Sequence, residues 1–212
     1  MVASRIYVLA GTNGAGKSSI GGAVFRARGA EYYNPDEAAR KVLALLPHLD
    51  SFAANGLAWQ EGRRLLERAM AERLDFAFET TLGGTTITEL LERAALSGVS
   101  VHVWYAGLKN PELHLARVRA RVAHGGHDIP EEKIRARYSA GRLNLIRLMP
   151  RLTELRVYDN SAEADPWKGH TPTPLLVLHM ASGQIITTCD LTSTPDWAKP
   201  VMAAALRSSK SR

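Results

Sequence analysis

Apolar positions along the chain follow two rhythms. Short runs at 6–10 (IYVLA), 99–106 (VSVHVWYA) and 155–158 (LRVY) have the length and the β-branched or aromatic content of strands. The run 75–81 (DFAFETT) is a strand that ends polar, and 31–33 (EYY) is a short one closed by Asn34-Pro35. Between them, apolar residues recur at helical spacing and predict helices at 17–28, 35–46, 52–74, 86–95, 111–123 and 131–149, with Pro35 set as a first helical residue. Such alternation predicts an α/β fold whose mainly parallel sheet is covered on both faces. After Pro172 the rhythm changes. Segments 175–179 and 184–188 flank Ala181-Ser182-Gly183 as a hairpin, and 197–206 reads as a closing helix. Residues 1–212 are expected to form a single domain, with 172–212 as a small C-terminal hairpin and helix appendage.

The first strand runs into Gly11-Thr12-Asn13-Gly14-Ala15-Gly16-Lys17-Ser18-Ser19, a full match to G-x-x-x-x-G-K-[ST] between a strand and a helix. Glycines at these positions let successive backbone N–H groups turn toward a phosphate, and the following helix adds its positive end. Lys17 would reach the β- and γ-phosphates and the Ser18 hydroxyl would ligate Mg²⁺. The bland alternative, a glycine-rich turn, requires strand, spacing, lysine and serine to coincide by accident. The motif predicts a P-loop NTPase-type three-layer fold binding ATP or GTP.

In a parallel sheet the carboxyl ends of neighbouring strands open on one crevice. Asp36 would emerge there and could take the proton of an attacking hydroxyl; the other reading is an acid favouring a helix N-terminus. Glu79 arrives at the same crevice as either a water-mediated Mg²⁺ partner or an acceptor for substrate hydroxyls, while Thr80 or Thr81 can tie off the strand end. His127 lies in the Gly-Gly break and could meet a phosphate or a sugar oxygen. His102 and His114 read as strand and helix-surface residues. No His, Asp and Glu grouping has metal-site spacing, so Mg²⁺ brought with the nucleotide is the metal expected.

Charge sharpens this picture. The chain carries a formal +6, and residues 117–156 account for all of it with nine Arg and Lys133 against four acids. In the helix from 111, Leu115, Val118 and Val122 form the inward stripe, Arg117 and Arg121 stack at i, i+4, and Arg119 lies on another face. Arg135, Arg137 and Arg142 flank the stripe of the next helix. The pattern predicts a lid of two basic helices hinged at Gly125-Gly126, with at least one of Arg117, Arg119 and Arg135 meeting a phosphate. A nucleic-acid channel would interleave aromatics, and Tyr138 stands alone. The lone Cys189 excludes an internal disulfide, no apolar run approaches a membrane span, and the start lacks a signal-peptide pattern, so a cytoplasmic protein is expected.

The order of GTNGAGKSS (11–19), NPD (34–36), FAFETTL (76–82), ELHLARVRARVAHGGHDIPEEKIRARY (112–138) and YDNS (158–161) resembles the zeta-toxin family of P-loop kinases, including its non-toxin relatives. The resemblance implies an ATP- and Mg²⁺-dependent kinase phosphorylating the 3′-hydroxyl of the amino sugar in UDP-N-acetylglucosamine. It gives Lys17 and Ser18 the phosphate-loop roles, Asp36 that of general base, Glu79 substrate binding, and Arg117 a phosphate contact. The family's second phosphate-contacting arginine has no match at its expected position, which falls near His127; Arg135 and Arg137 lie beyond it. A small helical antitoxin is the partner the resemblance implies. Two other classes stay open: a P-loop phosphotransferase acting on an antibiotic, a metabolite or a polynucleotide end, and a toxin module working mainly through an antitoxin complex.

Overall fold

The computed structural model describes residues 4–17, 20–21, 31–126, 128–162 and 173–210. Five parallel strands form its centre: β1 (Arg5–Ala10), β2 (Glu31–Tyr33), β3 (Phe76–Thr80), β4 (Ser100–Gly107) and β5 (Glu154–Asp159). The hairpin β6 (Leu175–Ala181) and β7 (Gln184–Thr188) adds two antiparallel strands to β5. The order across the seven-stranded sheet is β2-β3-β1-β4-β5-β6-β7. The C-terminal hairpin thus continues the main sheet.

Six helices are described: α1 (Pro35–Leu45), α2 (Ser51–Glu72), α3 (Thr85–Leu96), α4 (Pro111–Ala123), α5 (Glu131–Leu148) and α6 (Lys199–Lys210). Their starts follow local chemistry. The Asn34 side chain accepts from the N–H groups of Asp36 and Glu37 ahead of Pro35, and Asn110 accepts from Leu113 N–H ahead of Pro111. Most of the helix expected at 17–28 lies outside the described residues.

Strand β1 sits in the middle because both of its faces are apolar. Ile6 and Val8 join Phe76, Phe78, Val101 and Val103 in the principal core, closed by Leu66 of α2, Leu90 and Leu91 of α3, and Leu145 and Leu148 of α5. Trp197, Val201 and Met202 complete it from the C-terminal segment. Gly107, at the end of β4, has no side chain because the Trp197 ring fills the space a Cβ would take. On the other face Tyr7, Leu9, Ala77 and Trp104 form a smaller cluster with Ile20, Tyr32 and Tyr158. A third cluster, Leu115, Val118, Ile129 and Ile134, fastens α4 to the start of α5, as the helical stripes predict. Among the described residues no helix is long and apolar enough to cross a membrane.

Candidate active site

The parallel register brings the ends of β1, β3 and β2 to one edge of the sheet. Leu9 pairs with Glu79 and Ala10 with Thr80, and the Gly11 N–H donates to the Thr80 carbonyl at 3.1 Å. The loop then turns through Gly11, Gly14 and Gly16 at φ of 140°, 81° and 76°. Side chains disfavour those angles. Space disfavours them as well: a Cβ on Gly11 would collide with the Ala106 carbonyl, and one on Gly14 would lie 2.7 Å from that of His114.

Lys17 donates to the Gly11 carbonyl at 3.0 Å, which folds its ammonium back over the loop. Burial lowers its pKa from the ordinary lysine range, Arg121 and Arg137 push the same way, and the carboxylates of Glu79 and Asp36 oppose them. Five charged groups therefore share one electrostatic neighbourhood. Lys17, Asp36, Glu79 and Arg137 border a cavity of about 1050 Å³ whose lining also includes Asn13 and Thr80, and Arg121 reaches the group through Asp36.

Each acid reaches the cavity by its own route. Tyr33 packs against Gly62 of α2, which holds the β2 end in place, and the Asn34 cap then sets Asp36 in the first turn of α1. The Asp36 carboxylate lies 3.5 Å from the Arg121 guanidinium. Glu79 is 7% exposed and accepts a hydrogen bond from the Tyr32 hydroxyl, so a charged group at the end of an apolar strand has a polar partner. The Thr80 hydroxyl accepts from Leu82 N–H at 3.1 Å, tying off the strand while still bordering the cavity.

The structure divides the arginine-rich stretch. Arg137 donates to the Asn13 side-chain oxygen at 2.9 Å and lines the cavity, and Arg121 faces Asp36. Arg117 stands beside the loop, its Cβ 3.5 Å from where one on Gly14 would be, and donates to the Ala162 carbonyl. Arg119 and Arg135 instead join Glu131 and Glu112 in an exposed ion-pair network away from the cavity lining. Arg147 and Arg151 pair with Glu92, and Arg156 with Glu154. Spacing alone pointed to Arg117, Arg119 and Arg135. The rotation that selects Arg121 and Arg137 comes from packing: Gly83 leaves room for the Arg137 stem, and Gly141 lets α5 approach the Thr81 carbonyl. Asn144 adds bonds to the Leu82 and Gly84 carbonyls. Helix α5 is therefore seated in the core, and between α4 and α5 the chain brings Gly125, Gly126 and Asp128 to the cavity lining. Ser18, Ser19 and His127 lie outside the described residues.

His114 is not the helix-surface residue its sequence context predicts. It is 1% exposed, and its Nδ1 donates to the Asn13 carbonyl at 2.8 Å. Its pKa is lowered to about 4, chiefly by burial, with Lys17, Arg117 and Arg142 pushing the same way and the bond to the Asn13 carbonyl opposing them. The unfolded chain, with a value near 6.5, takes the proton first as pH falls. Stability from this site is thus complete above about pH 6.5 and is lost toward pH 4, a decrease of about 2 kcal/mol between pH 7 and pH 5. Denaturant unfolding at both pH values should show that decrease in the wild type and a smaller one in His114→Asn. Equal losses would remove His114 from the account.

No family model matches the chain. An uncharacterized protein of Haemophilus influenzae is 30% identical over 146 residues, 65% of this chain and the whole of that protein. The chain belongs to the family of that protein. Among solved structures, a chain of the AvrRxo1-ORF1:-ORF2 complex with ATP superposes with a TM-score of 0.67 at 14% identity, covering 96% of this chain. This chain spans 64% of that one. The PezAT toxin–antitoxin system of Streptococcus pneumoniae gives a TM-score of 0.56 at 12% identity over 99% of this chain and 86% of that one. A putative kinase from Chloroflexus aurantiacus gives 0.52 at 15% identity over 65% and 80%. With the strand order and the loop, these likenesses make the fold that of the P-loop NTPase type.

Proposed function

We propose that the chain is an ATP-dependent kinase that phosphorylates a hydroxyl of a nucleotide sugar, with the 3′-hydroxyl of UDP-N-acetylglucosamine as the acceptor. One observation carries this reading: the glycine-built loop, Lys17, Asp36 and Glu79 converge on a single cavity. At about 1050 Å³ it lies at the upper end of small-molecule sites, with room for a phosphate donor and an acceptor together.

In this reading the loop amides and Lys17 hold the donor's β- and γ-phosphates. Asp36 orients the acceptor hydroxyl and takes its proton, and Glu79 accepts from a neighbouring hydroxyl. Arg121 and Arg137 supply positive charge beside Arg117. The carboxylate oxygens of Glu79 and Asp36 suit a hard cation, and Ser18 is the ligand the motif proposes for it. Mg²⁺, when bound with the nucleotide, neutralises phosphate charge. Two of the structural neighbours are two-protein assemblies, one described as a toxin–antitoxin system, which supports a small helical antitoxin as a partner of this chain too.

The test is one incubation with ATP, Mg²⁺ and a panel of nucleotide sugars, followed by mass spectrometry. The expected result is gain of a single phosphate by UDP-N-acetylglucosamine. Phosphorylation of a different small hydroxyl compound would keep the kinase and replace the acceptor.

A further inference from the structure

Four of the loop's carbonyls are engaged. Gly11 accepts from Lys17 Nζ, Thr12 from Ala15 N–H, and Ala15 from the Asn160 side chain at 2.9 Å. Asn13 accepts from His114. The contact to Asn13 reaches the peptide leading into Gly14, where φ is 81° and no side chain resists rotation, as the contact to Ala15 does for Gly16 at 76°. In a trans peptide the carbonyl of one residue and the N–H of the next point in opposite directions. Holding the Asn13 carbonyl therefore fixes the direction of the Gly14 N–H. A flip would present an oxygen where an anion needs a donor.

His114 is itself held rigidly. It lies on α4, whose Val118 also packs on Gly14, and its ring meets Tyr138 of α5 edge-on with centroids 5.5 Å apart. The Arg142 guanidinium covers Tyr138 at 4.1 Å. The same Asn13 that gives its carbonyl to α4 gives its side-chain oxygen to Arg137 of α5.

We propose that His114 is a positioning residue of the phosphate loop: its Nδ1–H clamps the Asn13 carbonyl and so aims the Gly14 N–H at the nucleotide phosphate. The inference rests on the loop's binding ATP and is independent of which acceptor is phosphorylated.

Calorimetric titration of ATP with Mg²⁺ into the wild type, His114→Phe and His114→Asn tests it. Phenylalanine keeps a ring but loses the donor, leaving a buried carbonyl unpaired, and is expected to weaken ATP binding about tenfold. Asparagine places an N–H close to the Nδ1 position and is expected to restore binding to within about threefold of the wild type. Unfolding midpoints are measured beside the titrations, because a purely structural role would lower the midpoint and leave the affinity of the folded protein unchanged. ATP binding in folded His114→Phe equal to the wild type would overturn the proposal. If that variant does not fold, His114→Gln, which carries its amide further from the backbone, takes its place with the same expectation. A wild type that binds no ATP would overturn the phosphate-loop reading itself, an outcome distinct from failure of the clamp alone.

Discussion

Asp36→Asn is expected to lower phosphotransfer to the acceptor by about 10²- to 10⁴-fold while leaving ATP binding in place. The substitution keeps size and shape and removes only the capacity to take a proton. It leaves α1 intact, because the cap is supplied by the Asn34 side chain to backbone N–H groups and does not use the Asp36 carboxylate. The pair with Arg121 is half exposed at 3.5 Å, so its loss costs little stability. Rates of acceptor phosphorylation, with ATP affinity measured on the same preparations, check the expectation. Turnover unchanged in Asp36→Asn would assign the acid to helix placement alone.

Lys17→Met is expected to lower kcat/KM for ATP by about 10²- to 10³-fold, the scale for removing one preorganised charge-stabilising donor. Its effect on stability should run the other way from an ordinary core substitution. Burial already disfavours the Lys17 charge, so an apolar chain of similar length removes a desolvation cost. Arg121 and Arg137 remain to balance Glu79 and Asp36. The unfolding midpoint should therefore hold or rise while activity falls. A variant that loses midpoint and activity together would mean that Lys17 mainly holds the loop through the Gly11 carbonyl.

The individual residues show how far each kind of signal reaches. Asn34-Pro35 and Asn110-Pro111 mark helix starts that the structure reproduces, because capping is a contact among residues three apart. The apolar run before Glu79 is likewise legible as a strand that delivers an acid, since burial of Phe76 and Phe78 follows from their own composition. Tyr32 as the hydrogen-bond partner of Glu79 is not legible: 47 residues separate the two, and only the β2–β3 pairing brings them together. Arg135 and Arg137 illustrate the limit best. Two positions apart on one helix, they face opposite fates, one in an exposed network with Glu112 and Glu131, the other against Asn13.

The sequence by itself determined the alternation of strands and helices, the glycine loop with its lysine, Glu79 at a strand end and Asp36 at a helix start, because each depends on periodicity, backbone freedom or a motif within about ten residues. Tertiary structure alone decided that the C-terminal hairpin would extend the main sheet, that Arg121 would face Asp36 and Arg137 the cavity, and that His114 would be buried on the loop. The hairpin's place depends on long-range pairing of β6 with β5, and the placements of the arginines and His114 depend on the rotation of α4 and α5 about their axes. That rotation is set where small residues at Gly14, Gly83 and Gly141 let one backbone approach another, a condition met only after distant segments have packed.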